Sequence, residues 1–479
     1  MVFSSTLFLF LFLPVVITGY YLSPGIRVRN IFLLFASLFF YAWGETFYLL
    51  LMLASIALNY VCGILIEQFR ADKAAKRLLT VGIISNLALL GAFKYTNFII
   101  DTLNQLLSPL ALSPLSVAPV HLPIGISFFT FQAISYIIDV YRKEAPIQHN
   151  PLDCGLYIAL FPQLIAGPIV RYHDIAKQLL HRSHTSVKFY NGILLFIVGL
   201  GKKMLLANPM GAVADAIFGI PAGEVTPLLA WSGALAYSLQ IYFDFSGYSD
   251  MAIGLGRLFG FELRINFHYP YIAGSFRDFW QRWHISLSSW FRDYLYIPLG
   301  GSRCGTFRTG INLFLVFSLC GLWHGASWNF IVWGLLHGTF LVLERGLLGK
   351  LLAKCWRPFR HLYLLCGVMI AWVLFRSDDL SSSLQFLKAM IGAADSAPLL
   401  HPMGLYWTKH KLLVCIAGIF AATPFFYRLH KYLYSEYAHL RAGRLGLYSI
   451  QISCSALIFW LCAMELAAGT HNPFIYFRF

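Results

Sequence analysis

Two histidines in this chain stand where an imidazole is expensive. His324 lies in GLWHGASWNFIVWGLLHG, residues 321–338, a run otherwise apolar enough to sit in a bilayer. His284 lies 40 residues upstream in SFRDFWQRWHISLSSWFRDYLYIPLGGSR, among arginines, aspartates and tryptophans. An ionisable residue at membrane depth carries a desolvation cost that an apolar side chain avoids, so by default it is read as functional. The competing reading is a core histidine hydrogen-bonded to a neighbouring helix. Two such histidines together point to chemistry.

The elements that must position them are membrane helices. The chain has 479 residues, 58% hydrophobic and 17% aromatic against 12% charged, whereas an ordinary soluble domain is about a quarter charged. Apolar stretches recur at 4–22, 30–43, 46–66, 78–95, 122–140, 189–206, 229–256, 311–323, 328–348, 361–376, 411–425 and 447–468. Several fall short of the ~20 residues a crossing helix needs, so the expectation is an all-α polytopic bundle of about 11–12 spans with added re-entrant and interfacial helices. The opening MVFSSTLFLFLFLPVVITGYYL has no basic leader region and no small-residue cleavage site, and it reads as a retained first span. Nine cysteines show neither paired spacing nor a CxxC, so neither disulfides nor a metal site is expected.

The formal charge of +15 comes from clusters in alternate loops, such as Arg70, Lys73, Lys76 and Arg77, or Arg428, Lys431, Arg441 and Arg444. Alternation is the positive-inside pattern, and it outweighs a nucleic-acid reading. It places 67–77 and 426–446 inside and both termini outside. No linker, repeat or low-complexity tract divides the chain, so residues 1–479 are expected to form one membrane domain. Peripheral helices would occupy about 1–100, a catalytic core about 120–350, and C-terminal helices with a tail about 351–479. FPQLIAGPIVRYHD, residues 161–174, reads as re-entrant because two prolines and a glycine interrupt an apolar run. Residues 264–310 are too charged to span and read as an interfacial segment dipping into the bundle. Irregular backbone at that depth is tolerated only when buried in protein or lining a cavity, which predicts a central tunnel entered from the cytoplasm.

The stretch YFDFSGYSDMAIGLGRLFGFELRINFHYPYIAGSFRDFWQRWHISLSSWFRDYLYIPLGGSR, followed by FLVFSLCGLWHGASWNFIVWGLLHG, closely resembles the membrane-bound O-acyltransferase family. Within that family it is most similar to the branch that acetylates alginate and other exported bacterial polysaccharides. The opening MVFSSTLFLFLFLP, the later WVLFRSDDLSSSLQFLKAM and the ending NPFIYFRF look like that branch too. The resemblance implies that His324 is the catalytic histidine, set in a tunnel through the membrane core, and that His284 is a second site nearer the cytoplasmic mouth. The chemistry agrees: acyl transfer to a hydroxyl needs a base, and a neutral imidazole of pKa near ~6.5 suits that role. An acyl-imidazole route is chemically open, but no sequence feature favours it.

His284 is expected to orient the thioester or a water, or else to anchor Trp280, Trp283 and Trp290. Asp244 and Asp250 need neutralisation inside an apolar helix, with Arg257 or Arg282 as candidate partners. Asp244 with Gln240 one turn earlier, Asn266, Asn329, Trp283 and Trp323 are the candidates for lining or supporting the tunnel. The expected acyl donor is acetyl-CoA or a carrier-protein thioester on the cytoplasmic side, with no permanently bound cofactor. Arginine pairs well with the phosphates such a donor bears. The expected partners are that donor, the lipid bilayer and an exported acetyltransferase on the outer side, with no nucleic acid, and the expected location is a bacterial cytoplasmic (inner) membrane. Two other readings stay open at this stage: D-alanyl transfer to teichoic acids, and a polysaccharide flippase, although no duplicated pair of broken helices supports the latter.

The tail carries Phe474, Tyr476 and Phe479 as F-x-Y-x-x-F. That pattern resembles the C-terminal motif of a small partner protein in teichoic acid D-alanylation, which makes Tyr476 a candidate acyl relay. A phenol of pKa ~10 is a far better leaving group than an alkyl alcohol, so an acetyl-tyrosine ester keeps transfer potential. The alternative is an aromatic belt anchoring the last helix. Tyr476→Phe keeps the ring and removes the hydroxyl. The relay predicts that acetyl release from the cell's extracellular polymers falls to background in this variant, and normal acetylation would leave the tail an anchor.

Overall fold

The computed structural model describes residues 1–110, 112–393, 401–437 and 439–469. Its regular structure is helical, with no strand among the described residues. Backbone contacts divide the chain into two compact units, Met1–Ile193 with Ala252–Arg264, and Leu194–Met251 with Ile265–Phe479. The tail that holds Tyr476 lies outside the described residues.

The first unit is built on α1 (Gly25–Ala42), α2 (Leu49–Gln68), α3 (Lys73–Lys94) and α4 (Ile126–Arg142). α4 is buried from Ile126 to Val140, including Thr130, Gln132, Ser135 and Asp139. Some buried polar groups of this unit are paired between helices, which removes the cost of leaving them cut off from water. Asn59 and Asn86 exchange amide hydrogen bonds of 3.0 and 2.8 Å between α2 and α3, and Asn30 donates to Asp153 at 2.7 Å. The interrupted run from Phe161 forms one short helix, Phe161–Leu164, then irregular backbone, and is buried through Tyr172.

The second unit holds both histidines. α5 (Ser186–Gly201) leads through a π-helical turn, Lys202–Ala207, into α6 (Asn208–Phe218), and α7 (Pro227–Leu258) follows. The aromatic stretch 264–310 contains the short helices α8 (Phe276–Trp280) and α9 (Ile285–Phe291) and buries Phe276, Phe279, Trp283, Leu287 and Trp290. Next come α10 (Thr306–His324), α11 (Trp328–Arg345), α12 (Leu347–Lys354), α13 (Arg357–Arg376) and α14 (Leu380–Met390).

α10 and α11 form an antiparallel pair whose backbones touch. A Cβ on Gly321 would lie 2.1 Å from the carbonyl oxygen of Phe330, and one on Gly334 would lie 2.2 Å from that of Phe317. Small residues at such crossings let dispersion and weak polar contacts replace the hydrophobic drive that lipid removes. The contact fixes the C-terminal end of α10, and with it His324.

Among the described residues seven helices are long and apolar enough to cross a membrane, or nine if each of two bent pairs is one span. The bent pairs are α11 with α12, at 70°, and Lys409–Ala421 with Phe425–Tyr437, at 60°. This is fewer than the sequence suggested. α4 and α7 account for part of the difference, since both are largely wrapped in protein and carry polar residues that lower their hydropathy. The first apolar stretch is also short, covering Phe8–Leu22.

The intramembrane carboxylates are neutralised by neighbours that the sequence reading passed over. Lys203 meets Asp244 at 2.5 Å with side chains only 4% and 2% exposed, and Lys202 meets Asp250 at 2.6 Å. The arginines proposed as partners pair elsewhere, Arg257 with Glu262 and Arg282 with Asp278. The two adjacent lysines open a π-helical turn, and each reaches one of two carboxylates six residues apart on α7. Removing one member of a buried pair strands the other charge, at a cost of roughly 3–5 kcal/mol. Asp244→Asn and Lys203→Met are each expected to lower the unfolding midpoint in detergent steeply. The double variant Lys203→Met/Asp244→Leu should regain most of that loss, and a double variant no more stable than the singles would contradict the pairing.

Candidate active site

His284 is held by an amide whose orientation is forced. The backbone N–H of Ser286 points at Asn266 Oδ1 from 3.1 Å, so that atom must be the carbonyl oxygen. The hydroxyl of Ser286 also donates to it at 2.9 Å, and Asn266 Nδ2 donates to Ser249 Oγ at 2.9 Å on α7. With its oxygen so placed, Asn266 can only accept from His284, whose Nδ1 lies 3.1 Å away. The imidazole therefore carries its proton on Nδ1 and presents a bare lone pair on Nε2. Nε2 is buried and has no hydrogen-bond partner among the described residues.

Two further observations set His284 apart from an ordinary packed side chain. Its backbone lies in the left-handed region, φ 42°, which costs a non-glycine residue conformational energy and is concentrated at functional sites. Its side chain is fully buried, and desolvation of the cation pushes its pKa down to about 3. A group so hard to protonate is a weak base, and it serves best as a neutral acceptor that orients a hydroxyl, an amide or a water.

From His284 a continuous array of rings leads to His324. Phe245 lies edge-on to His284 with ring centroids 4.6 Å apart, and Trp323 is 6.0 Å from it. Trp323 is 4.9 Å from His324, which also packs against Trp333 at 5.1 Å and Phe375 at 5.2 Å. Trp333 is wholly buried, and its indole N–H has no acceptor among the described residues. Buried polar atoms left unpaired are rare in native proteins. An unpaired acceptor on His284 and an unpaired donor on Trp333, with His324 between them in the array, are what an absent polar ligand would satisfy. A donor so placed can stabilise negative charge developing on a carbonyl oxygen.

The array continues to His337, whose ring is 4.7 Å from Trp333. Trp280 Nε1 donates to His337 Nδ1 at 3.2 Å, which fixes the protonated nitrogen of this second imidazole as Nε2.

The other sequence candidates divide between two faces of α7 and the surrounding packing. Tyr242, Phe245 and Ser249 face the His284 side, with the Tyr242 ring tilted against Trp283 and edge-on to Tyr271. Gln240 and Asp244, one helical turn apart, face Lys203 and Gly211 instead, so the structure places them in the ion-pair region and away from the rings. Trp283 is a packing residue, 4.9 Å from Trp372 and 5.5 Å from Phe279. Asn329 Nδ2 donates to the Ser377 carbonyl at 2.9 Å, tying the start of α11 to the end of α13 two residues beyond Phe375. Sequence reasoning missed Trp333 and Phe375. Trp333 could have been found from its position nine residues after His324 in the same apolar run, whereas Phe375 is far away in sequence and left no signal.

Comparison with known proteins bears on this arrangement. Residues 129–383 match the model of the MBOAT, membrane-bound O-acyltransferase family. The chain is 43% identical to a probable alginate O-acetylase of Azotobacter vinelandii, over 100% of both chains. It is 48% identical to a probable alginate O-acetylase of Pseudomonas aeruginosa over 81% of this chain and 75% of the relative. It is 39% identical to a peptidoglycan O-acetyltransferase of Helicobacter pylori over 82% of this chain and 80% of the relative.

If Asn266 sets the tautomer of His284, Asn266→Ala frees the ring while leaving it in place. We expect transfer to fall about 10- to 100-fold, with the pH dependence of the remaining rate unchanged between pH 6 and 9. A new titration in that range, or an unchanged rate, would remove Asn266 from the orienting role.

Proposed function

Because the chain belongs to the membrane-bound O-acyltransferase family, we propose that this multi-pass membrane O-acyltransferase takes acetyl groups from a cytoplasmic thioester and passes them across the bilayer for O-acetylation of an exported polysaccharide. The observation that carries the choice of acetyl is the full-length likeness to a probable alginate O-acetylase. The polymer is alginate-like or another cell-envelope glycan, since a peptidoglycan O-acetyltransferase is also similar over most of its length. In this reading the membrane is a bacterial inner membrane, and the alternation of basic loops supports both termini lying outside, where an exported acetyltransferase would collect the group.

In this mechanism His324 is the general base. Its imidazole takes the proton from the acceptor hydroxyl as the oxygen attacks the thioester carbonyl. The C–O bond forms, the carbonyl oxygen takes up negative charge, and the indole N–H of Trp333 is the donor available to it. Collapse breaks the C–S bond, and the thiolate leaves with the proton held by His324. His284, neutral and fixed by Asn266, orients the donor or a water through Nε2. The tight ring array keeps bulk water away, which protects the ester from hydrolysis and strengthens each polar contact.

Aligned general base catalysis contributes typically about 10²–10⁴-fold. His324→Ala is expected to lower transfer by that factor in purified protein while leaving its unfolding midpoint within a few degrees of wild type. Half the wild-type rate in the variant would exclude His324 as the base. Running the same assay with acetyl and with D-alanyl thioesters tests the acyl group, and a preference for D-alanyl would overturn the acetyl assignment.

A further inference from the structure

Outside the ring array, one further hydroxyl of the second unit is placed as a nucleophile would be. Glu224, His401 and Tyr406 form a hydrogen-bonded row of carboxylate, imidazole and phenol. Glu224 Oε2 lies 2.7 Å from His401 Nε2, and His401 Nδ1 lies 2.8 Å from the Tyr406 hydroxyl. An ionised carboxylate can only accept, so Nε2 carries the proton of the neutral ring. Nδ1 is then a bare acceptor, and the Tyr406 O–H donates to it.

The row stands on fixed supports. Glu224 closes the short turn Ala222–Glu224 just before α7 begins at Pro227, and its backbone N–H donates to the Pro221 carbonyl at 2.9 Å. On the other side, Pro402 and the single helical turn Met403–Tyr406 bring Tyr406 back beside His401, with ring centroids 6.2 Å apart. The next residue, Trp407, is buried and donates its indole N–H to Ser232 Oγ on α7 at 3.1 Å. Trp231 donates to the Met390 carbonyl at the end of α14 at 3.0 Å, and Ser383 of α14 lies 3.4 Å from Asn329 at the start of α11. The supports therefore reach back to the helix that follows His324.

A tie between the two loops needs one hydrogen bond, and Glu224 with His401 supplies it. The second bond lies within one loop and adds only a base to a hydroxyl. A hydroxyl held by an imidazole that a carboxylate orients is the arrangement by which nucleophiles are activated. The row is also reachable, since the side chains of His401 and Glu224 are 23% and 36% exposed and Tyr406 is half-buried. In the topology proposed above both loops lie one span away from inward-facing basic segments. Ser186–Phe218 separates Glu224 from Arg171, Lys177 and Arg182, and Lys409–Ala421 separates Tyr406 from residues 426–446. That puts the row on the outer side.

We propose that Glu224, His401 and Tyr406 form a second acyl-transfer centre, in which Tyr406 takes an acetyl group from an activated ester or thioester and gives it to a hydroxyl. The phenol oxygen attacks the carbonyl carbon, the new C–O bond forms, and the phenol proton passes to His401 Nδ1 while Glu224 holds the imidazolium. The bond to the leaving oxygen or sulfur breaks, and the leaving group takes that proton. In the second half a sugar hydroxyl or water attacks the acetyl-tyrosine ester and yields its proton to Nδ1. The Tyr406 phenolate leaves and recovers it. The outward placement rests on the proposed function and topology, whereas the chemistry of the row rests on its own geometry.

The test treats the full chain in detergent with p-nitrophenyl acetate, an activated ester that needs neither a thioester nor the His324 site. Release of p-nitrophenolate is followed together with acetylation of each tyrosine, read by peptide mass spectrometry of acid-quenched samples. The reference is Tyr432, 61% exposed and with no imidazole at its hydroxyl among the described residues. Tyr406 should be acetylated at least about 100-fold faster than Tyr432, the scale of general-base assistance. His401→Gln and Glu224→Gln should each remove most of that advantage, and Tyr406→Phe should abolish the fast release at an unchanged unfolding midpoint. The comparison of two tyrosines within wild type needs no variant, so a folding defect cannot hide the answer. Tyr406 labelled no faster than Tyr432, with release unaltered in Tyr406→Phe, would overturn the proposal, and so would labelling indifferent to both His401→Gln and Glu224→Gln. Failure of thioester-driven transfer with ester labelling of Tyr406 intact would strike the proposed function and leave this centre standing.

Discussion

Polar groups removed from water must find partners inside the protein, and the architecture of the second unit follows from that constraint. Several charged and amide groups of the helices are answered by a neighbour: Lys203 for Asp244, Lys202 for Asp250, Ser377 for Asn329, Ser249 and Ser286 for Asn266. The lone pair of His284 and the indole N–H of Trp333 lie in one ring array with His324, and a substrate supplying one acceptor and one donor would complete the pattern.

The same constraint explains how the site is held. His324 sits at the end of a helix pressed backbone to backbone against its partner through Gly321 and Gly334, leaving little freedom for it to drift. His284 is fixed by a left-handed residue and an amide whose orientation is dictated by a main-chain N–H. Rigid helices and a forced hydrogen-bond network keep the two imidazoles in position. The roles then separate by environment. Burial keeps His284 neutral, which suits it to orienting, and the proposed proton transfer falls to His324.

Much of this was legible in the sequence because the informative residues were expensive ones. Histidines in apolar runs, tryptophans at repeated short spacing and aspartates inside a helix are each hard to explain as filler, and they led to the family and to both imidazoles. The fold class was equally plain from composition. The number of spans was not, because hydropathy cannot tell a helix facing lipid from one wrapped in protein, and α4 and α7 are of the second kind. The partners of Asp244 and Asp250 were missed because Lys202 and Lys203 lie inside the apolar stretch 189–206, and which helix they face is decided by packing that the local pattern does not encode. The place of Phe375 beside His324 depends on contact between distant segments, which no local pattern encodes.

The central claim is that an acyl group enters at one face of the membrane and leaves at the other through the array around His324. Proteoliposomes with the protein in one orientation, given isotopically labelled acetyl thioester outside and the exported acetyltransferase with a glycan acceptor sealed inside, test it most directly. The account predicts label on the enclosed glycan when the basic-loop face is outward, with no thioester inside the vesicle and none of the label transferred by the His324→Ala protein. Label appearing only on an acceptor placed on the same side as the donor would contradict it.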